Sequence, residues 1–183
     1  DLIWQEPLFK DYELAFDQIK SLIHEGTLEK AVPVLFAKAQ IRFDSKRLAR
    51  ALKKLTESPS RLFVYGMWDD QAGLLGATPE TLVTFFSGEL RSMALAGTQI
   101  RGTGECKLLS DQKELHEHAL TAQDIQNVLS EFGDVVSKGP HVLELPNLWH
   151  LKTEMRVKTS DSPDWVELIK KLHPTPALGS KKV

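Results

Sequence analysis

The hydrophobic period of this chain changes abruptly after Leu55, and that change limits the possible folds more than any other feature. Before it, apolar residues recur at helical spacing in two places. Asp11 to His24 carries Leu14, Ile19, Leu22 and Ile23, with Gly26 where a helix cap is expected, and Ser45 to Leu55 carries Leu48, Ala51, Leu52 and Leu55. Between these helices, Glu29 to Gln40 reads as a strand that Pro33 restricts to an edge or a bulge. After the change come four short apolar runs: Arg61 to Trp68, Ala72 to Ala77, Thr81 to Phe86 and Glu89 to Leu95. Asp69-Asp70, Thr78-Pro79 and Ser87-Gly88 separate them, which is the signature of a β-meander.

Gly97, Gly102 and Gly104 predict an irregular loop over Gly97 to Gly104. Asp111 to Phe132 reads as a helix with Leu115, Ala119, Ala122, Ile125, Val128 and Leu129 on its buried stripe, and Val142 to Met155 as a strand. Ser162-Pro163-Asp164 then starts a helix that runs to Leu172. Strands grouped between helices, without regular βαβ alternation, predict an α+β domain rather than a doubly wound parallel sheet. Residues 1–183 are expected to form a single domain.

Composition excludes classes of function more readily than it selects one. The 23 basic and 25 acidic residues leave a net charge of −2 with no long run of one sign, so no nucleic-acid partner is expected. Apolar stretches such as Ala31 to Ala37 are far shorter than the ~20 residues a membrane helix needs. The start, Asp1-Leu2-Ile3-Trp4, lacks the basic and apolar regions of a secretory signal. Cys106 is the only cysteine, which fits a reducing compartment, and the chain is expected to be cytoplasmic. It lacks an initiator methionine, and Ser180-Lys181-Lys182-Val183 follows an apolar motif abruptly, so both ends read as cuts.

Individual motifs are ambiguous when taken alone. Gly76-Ala77-Thr78-Pro79-Glu80 is locally a turn with a solvated carboxylate. His116 and His118 suggest a zinc clamp, but helix residues two apart point in different directions, which leaves His118 as a packing or hydrogen-bonding histidine. Glu114, Glu117, Thr121 and Asp124 share one helix face by their spacing, and that face either meets solvent or lines a site.

Five blocks occur in a fixed order. They are Gly76 to Glu80, Ala94 to Thr98, Glu114 to Asp124, Leu148-Trp149-His150-Leu151, and Leu172 to Gly179. In that order and with these intervals they resemble the chorismate-binding family of isochorismate, anthranilate, aminodeoxychorismate and salicylate synthases. The resemblance spans about Leu22 to Gly179. It implies a four-layer αββα architecture, with two packed antiparallel sheets flanked by helices, in a domain that continues beyond Val183. Pro33 and Lys38 depart from the family's lysine-containing strand, and Ser180-Lys181-Lys182 replaces its usual glycine and proline continuation.

The resemblance also implies roles. Lys30 matches the lysine that acts as general base for water attacking C2 of chorismate, where ammonia-using members typically carry glutamine. Glu80 matches the general acid that protonates the departing C4 hydroxyl. Glu117 matches a ligand of the Mg²⁺ that neutralises the ring carboxylate. Ala96, Gly97, Thr98, His150, Ala177 and Leu178 match positions that face the substrate. Alanine at position 96, where aminodeoxychorismate synthases often carry a nucleophilic lysine, and the Pro174 to Leu178 block both favour an isochorismate synthase serving menaquinone or a catecholate siderophore.

This assignment makes a chemical demand on the pair. A lysine is a poor base at pH 7 unless burial or nearby positive charge lowers its pKa, and the acid needs the opposite shift. Chorismate is the expected partner, a glutaminase is not expected, and the chain is expected to be a monomer. The alternatives are a salicylate synthase, an anthranilate synthase component I-like subunit, and a truncated, catalytically incompetent chorismate-binding domain.

Overall fold

The computed structural model describes residues 3–40, 44–59, 61–102, 104–160 and 162–182. Asp1 and Leu2 of the start, Thr103 of the glycine-rich segment and Val183 lie outside the described residues. The chain divides into two compact units, Asp1–Tyr12 with Val34–Glu80 and Glu13–Pro33 with Thr81–Val183.

In the first unit, β1 (Trp4–Gln5) pairs antiparallel with β3 (Lys38–Ala39). Helix α2 (Ser45–Thr56) is capped by Asp44, whose side chain accepts a hydrogen bond from the Arg47 N–H. Strands β4 (Phe63–Trp68) and β5 (Gly73–Thr78) form the first expected hairpin, and the Asp69 carboxylate closes its turn by accepting from the Gln71 and Ala72 N–H groups. Helix α1 (Phe9–His24) begins in this unit and runs on into the second.

The expected strand over Glu29 to Gln40 is in fact two separate pieces, β2 (Leu28–Ala31) and β3. Pro33 has no N–H to give to a ladder, so pairing stops before it. The partner of β2 is β10 (Ser180–Lys182), antiparallel, with Lys181 opposite Lys30, and the Val32 N–H donates to the Gly179 carbonyl at 3.0 Å. Ser180 to Lys182, which read as part of an abrupt end, are therefore the strand that completes β2.

A four-stranded antiparallel sheet organises the second unit in the order β6 (Thr84–Phe86), β7 (Glu89–Ile100), β9 (Leu148–Lys158), β8 (Val135–Glu144). Sequence reading gave a single strand over Val142 to Met155, whereas the structure has a hairpin. Pro146 and Asn147 turn the chain there, and the Leu145 N–H donates to the Leu148 carbonyl at 2.9 Å. Strand β7 also runs further than expected, passing through Gly97 to Ile100. Along β9, Leu151, Thr153, Met155 and Val157 alternate with more exposed residues and face the core.

Helices α3 (Gln112–Ser130) and α4 (Trp165–Leu172) pack on that inward face, where Leu90, Ala94, Ile125, Leu129, Met155, Val157, Leu168 and Leu172 are almost fully buried. Asp111 and Asp164 cap the two helices, each accepting from two N–H groups of the first turn. Of the stripe expected on α3, Ile125 and Leu129 are fully buried and Ala122 and Val128 pack against the core, while Ala119 is exposed. His118, Leu120 and Thr121 are buried in addition, and the two polar residues among them are what a count of apolar positions passes over. The α+β class itself is as read from sequence. Leu129 is completely buried, and Leu129→Ala is expected to destabilise the chain by about 2–5 kcal/mol in urea unfolding.

Candidate active site

Strand β2 carries Lys30 inward. Its side chain is only 12% exposed, and the ammonium lies 3.0 Å from Glu117 Oε1. The contact pairs the two opposite charges at hydrogen-bond distance. A buried ammonium needs a carboxylate beside it, and Glu117 on the second turn of α3 supplies one. The other oxygen of Glu117 lies 3.1 Å from the Nζ of Lys113, which also reaches Glu114 Oε1 at 2.7 Å. Burial pushes the Glu117 carboxyl up, but the hydrogen bonds and charges of Lys30 and Lys113 outweigh it and hold the group below the usual carboxylate range. Lys113, held first by Glu114 and then by Glu117, is raised.

Gly97 forms a bulge in β7. Ala96 pairs with Leu151 and Thr98 with His150, leaving Gly97 as the extra residue at φ +81°. Glycine is needed here for two reasons: the left-handed backbone, and the packing of α3, since a Cβ would come within 3.2 Å of the Glu114 carbonyl and the Leu151 side chain. The Thr98 N–H donates to Glu114 Oε2 at 2.9 Å, and the Thr98 hydroxyl lies 2.9 Å from His150 Nδ1. Burial lowers the His150 pKa, partly offset by a hydrogen bond to the Gly97 main chain.

The carbonyl of Ala96 is taken by His118 Nδ1 at 3.0 Å, and His118 Nε2 lies 2.7 Å from the Thr153 hydroxyl. A carbonyl only accepts, so Nδ1 carries the proton and Nε2 accepts from Thr153. Burial is the main cause of the lowered His118 pKa, which keeps the ring neutral. With both nitrogens committed and His116 exposed on another face, these histidines form no zinc clamp. His118 is the hydrogen-bonding residue its spacing suggested.

The structure thus joins five of the residues singled out from sequence, together with Lys113, into one chain of contacts. Lys30 touches Glu117, Lys113 bridges Glu117 to Glu114, Glu114 holds Thr98, and Thr98 meets His150. Ala177 is half-buried and Leu178 exposed in the turn that leads into β10, where the Leu178 N–H donates to the Thr175 carbonyl. Glu80 ends the first unit. It is half-buried, its N–H donates to the Thr78 hydroxyl at 3.1 Å, and burial raises its carboxyl pKa. Sequence reading missed Lys113, although its i,i+4 spacing from Glu117 was available as a signal.

Among the described residues, no three His, Cys, Asp or Glu side chains gather as a metal site. Glu114 and Glu117 nevertheless fit Mg²⁺ in kind, because one or two carboxylates supplemented by substrate oxygens and water are usual for that ion. All four of their oxygens already face positive or N–H groups, so the pair is built to hold positive charge.

Residues 4–181 match the family described as chorismate binding enzyme. The isochorismate synthase MenF of Bacillus subtilis is 31% identical over 179 residues, covering 92% of this chain and 38% of that protein. The salicylate biosynthesis isochorismate synthase of Pseudomonas aeruginosa is 37% identical over 118 residues, covering 59% of this chain and 25% of that protein. The solved structure of MenF, the menaquinone-specific isochorismate synthase of Escherichia coli, aligns with a TM-score of 0.79 at 23% identity, covering 97% of this chain and 44% of that one. The fold is therefore that of the chorismate-utilising enzymes. The chain belongs to the chorismate-binding enzyme family, and it spans about a quarter to two fifths of the length of these two curated relatives.

Two outcomes follow from this geometry. Gly97→Ala should lower stability by about 1–3 kcal/mol in urea unfolding, because it strains the bulge and crowds α3. His118 and His150 have folded pKa values below the ordinary histidine value of about 6.5, so the folded state binds fewer protons than the unfolded state in that range. Stability is then full above about pH 6.5 and should fall as the pH drops through the lowered values, visible as a decreasing urea midpoint between pH 7.5 and 5.

Proposed function

We propose that this chain carries the proton-transfer groups of an Mg²⁺-dependent isochorismate synthase, with Lys30 as general base and Glu80 as general acid. The observation that carries the reading is the buried ammonium of Lys30, held beside Glu117 in a polar cluster. A lysine withdrawn from solvent in this way is costly to keep for structural reasons alone. The names of the two isochorismate synthase relatives support the reading, and so does the burial that raises the Glu80 carboxyl.

In the reaction, Lys30 acts as base after releasing its ammonium proton, and water attacks C2 of the ring and gives its own proton to the Lys30 amine. The C2–O bond forms, the ring double bonds shift, and the C4–O bond breaks as Glu80 donates its proton to the leaving hydroxyl, which departs as water. One water enters and one leaves, so the net change is an isomerisation. Gly97 and Thr98 present the bulge to the substrate, His150 lies beside them, and Ala177 and Leu178 border the Lys30 strand. Mg²⁺ when bound would neutralise the ring carboxylate, with Glu117 as its ligand and Glu114 beside it.

Incubation with chorismate and Mg²⁺ should yield isochorismate, resolved from salicylate and anthranilate by chromatography. Lys30→Ala and Glu80→Gln should each lower kcat by about 10²–10⁴-fold. Activity should also decline as pH rises through the raised pKa of Glu80, because the acid must keep its proton. Unchanged turnover in either variant would overturn the assignment.

A second reading follows from the span of the chain relative to its relatives: a chorismate-binding unit that does not turn over alone. Calorimetric titration with chorismate would then show binding without product.

A further inference from the structure

We infer that Lys113 occupies the cation seat between Glu114 and Glu117 as a tethered counter-ion, and that a divalent metal reaches this pair only by displacing it. The inference rests on the Mg²⁺ reading of Glu117 given above and concerns how access to that site is controlled.

The four oxygens of the pair divide into two kinds. Glu114 Oε2 is fixed by the Thr98 N–H at 2.9 Å, and Glu117 Oε1 by the buried Lys30 at 3.0 Å. Neither partner can leave easily, because one is backbone in a sheet and the other a side chain only 12% exposed. The remaining oxygens, Glu114 Oε1 and Glu117 Oε2, share a single partner, the Lys113 ammonium, at 2.7 and 3.1 Å. Two carboxylates are thus held in place by fixed groups, while one oxygen of each faces a common positive charge.

That charge is movable. Lys113 is 73% exposed on the first turn of α3, whereas Glu114 and Glu117 are 15% and 26% exposed. A cation in the first turn of a helix sits at the positive end of the dipole, where it is disfavoured, so the carboxylates are what hold it. Exposed pairs of this kind are weak, and the lysine stem can swing into solvent. A divalent ion brings twice the charge to the same two oxygens. Lys113 therefore neutralises the seat when metal is absent and competes with the metal when it is present.

Binding of Mn²⁺ to the purified chain, followed by the loss of the free-ion electron paramagnetic resonance signal and checked by competition with Mg²⁺, tests the inference without reference to turnover. Lys113→Gln should bind Mn²⁺ about three- to tenfold more tightly than wild type. Lys113→Arg should stay near wild type, and Glu117→Gln should lose the site. Circular dichroism on each variant checks folding, which substitution of so exposed a residue should not disturb. An unchanged or weaker affinity in Lys113→Gln, with a site still abolished by Glu117→Gln, would overturn the role of Lys113 alone. The absence of any Glu117-dependent site in wild type and Lys113→Gln would overturn the metal reading, and this inference with it.

Discussion

An ammonium group withdrawn from water has to keep a carboxylate within reach, and that requirement ties together the parts of the larger unit that carry chemistry. Lys30 lies on a short strand, and Glu117 on a helix that packs over a different sheet. Left uncompensated, either buried charge would cost several kcal/mol, so the two elements are constrained to approach at this point. The strand is in turn held by β10, which places the Thr175 to Gly179 turn beside it. A single ion contact thereby relates three segments that are distant in sequence.

The other half of the cluster depends on packing of backbone against helix. Gly97 lets β7 pass within contact distance of the first turn of α3, and Glu114 uses that closeness to hold the Thr98 N–H. His118, one turn further along, holds Ala96 on the other side of the bulge. The irregular stretch of strand is therefore fastened at both ends to one helix. This gives a loop-like segment the definition of regular structure, which is useful where a substrate is to be oriented.

The class of fold could be read from the sequence because its signals are local: capping aspartates, turn dipeptides and apolar period. The long helix and the first hairpin followed directly from those signals. Elements whose limits depend on distant partners were misread. Strand β10 has no strand signature of its own and exists because β2 needs a neighbour, and the β8–β9 hairpin was hidden because its apolar character hardly changes across the turn. In the cluster, Lys30 and Glu117 could be singled out only through the order of five blocks, since their contact spans 87 positions. Lys113 was passed over because an exposed lysine near a helix start looks ordinary until its two carboxylates are placed around it.

The bulge at Gly97 also acts as a change of parity. Side chains on a strand alternate between faces, so one additional residue reverses which face every later residue meets. Before it, Ala96 sits opposite Leu151, and both are buried on the helix side. After it, Thr98 sits opposite His150, and the two polar groups meet on the other side of the sheet. Were the same residues paired without the bulge, Gly97 would stand opposite His150 and Thr98 opposite Trp149, exchanging the faces of everything beyond. The chemistry at this end of the strand is thus set by the register of the pairing as much as by composition.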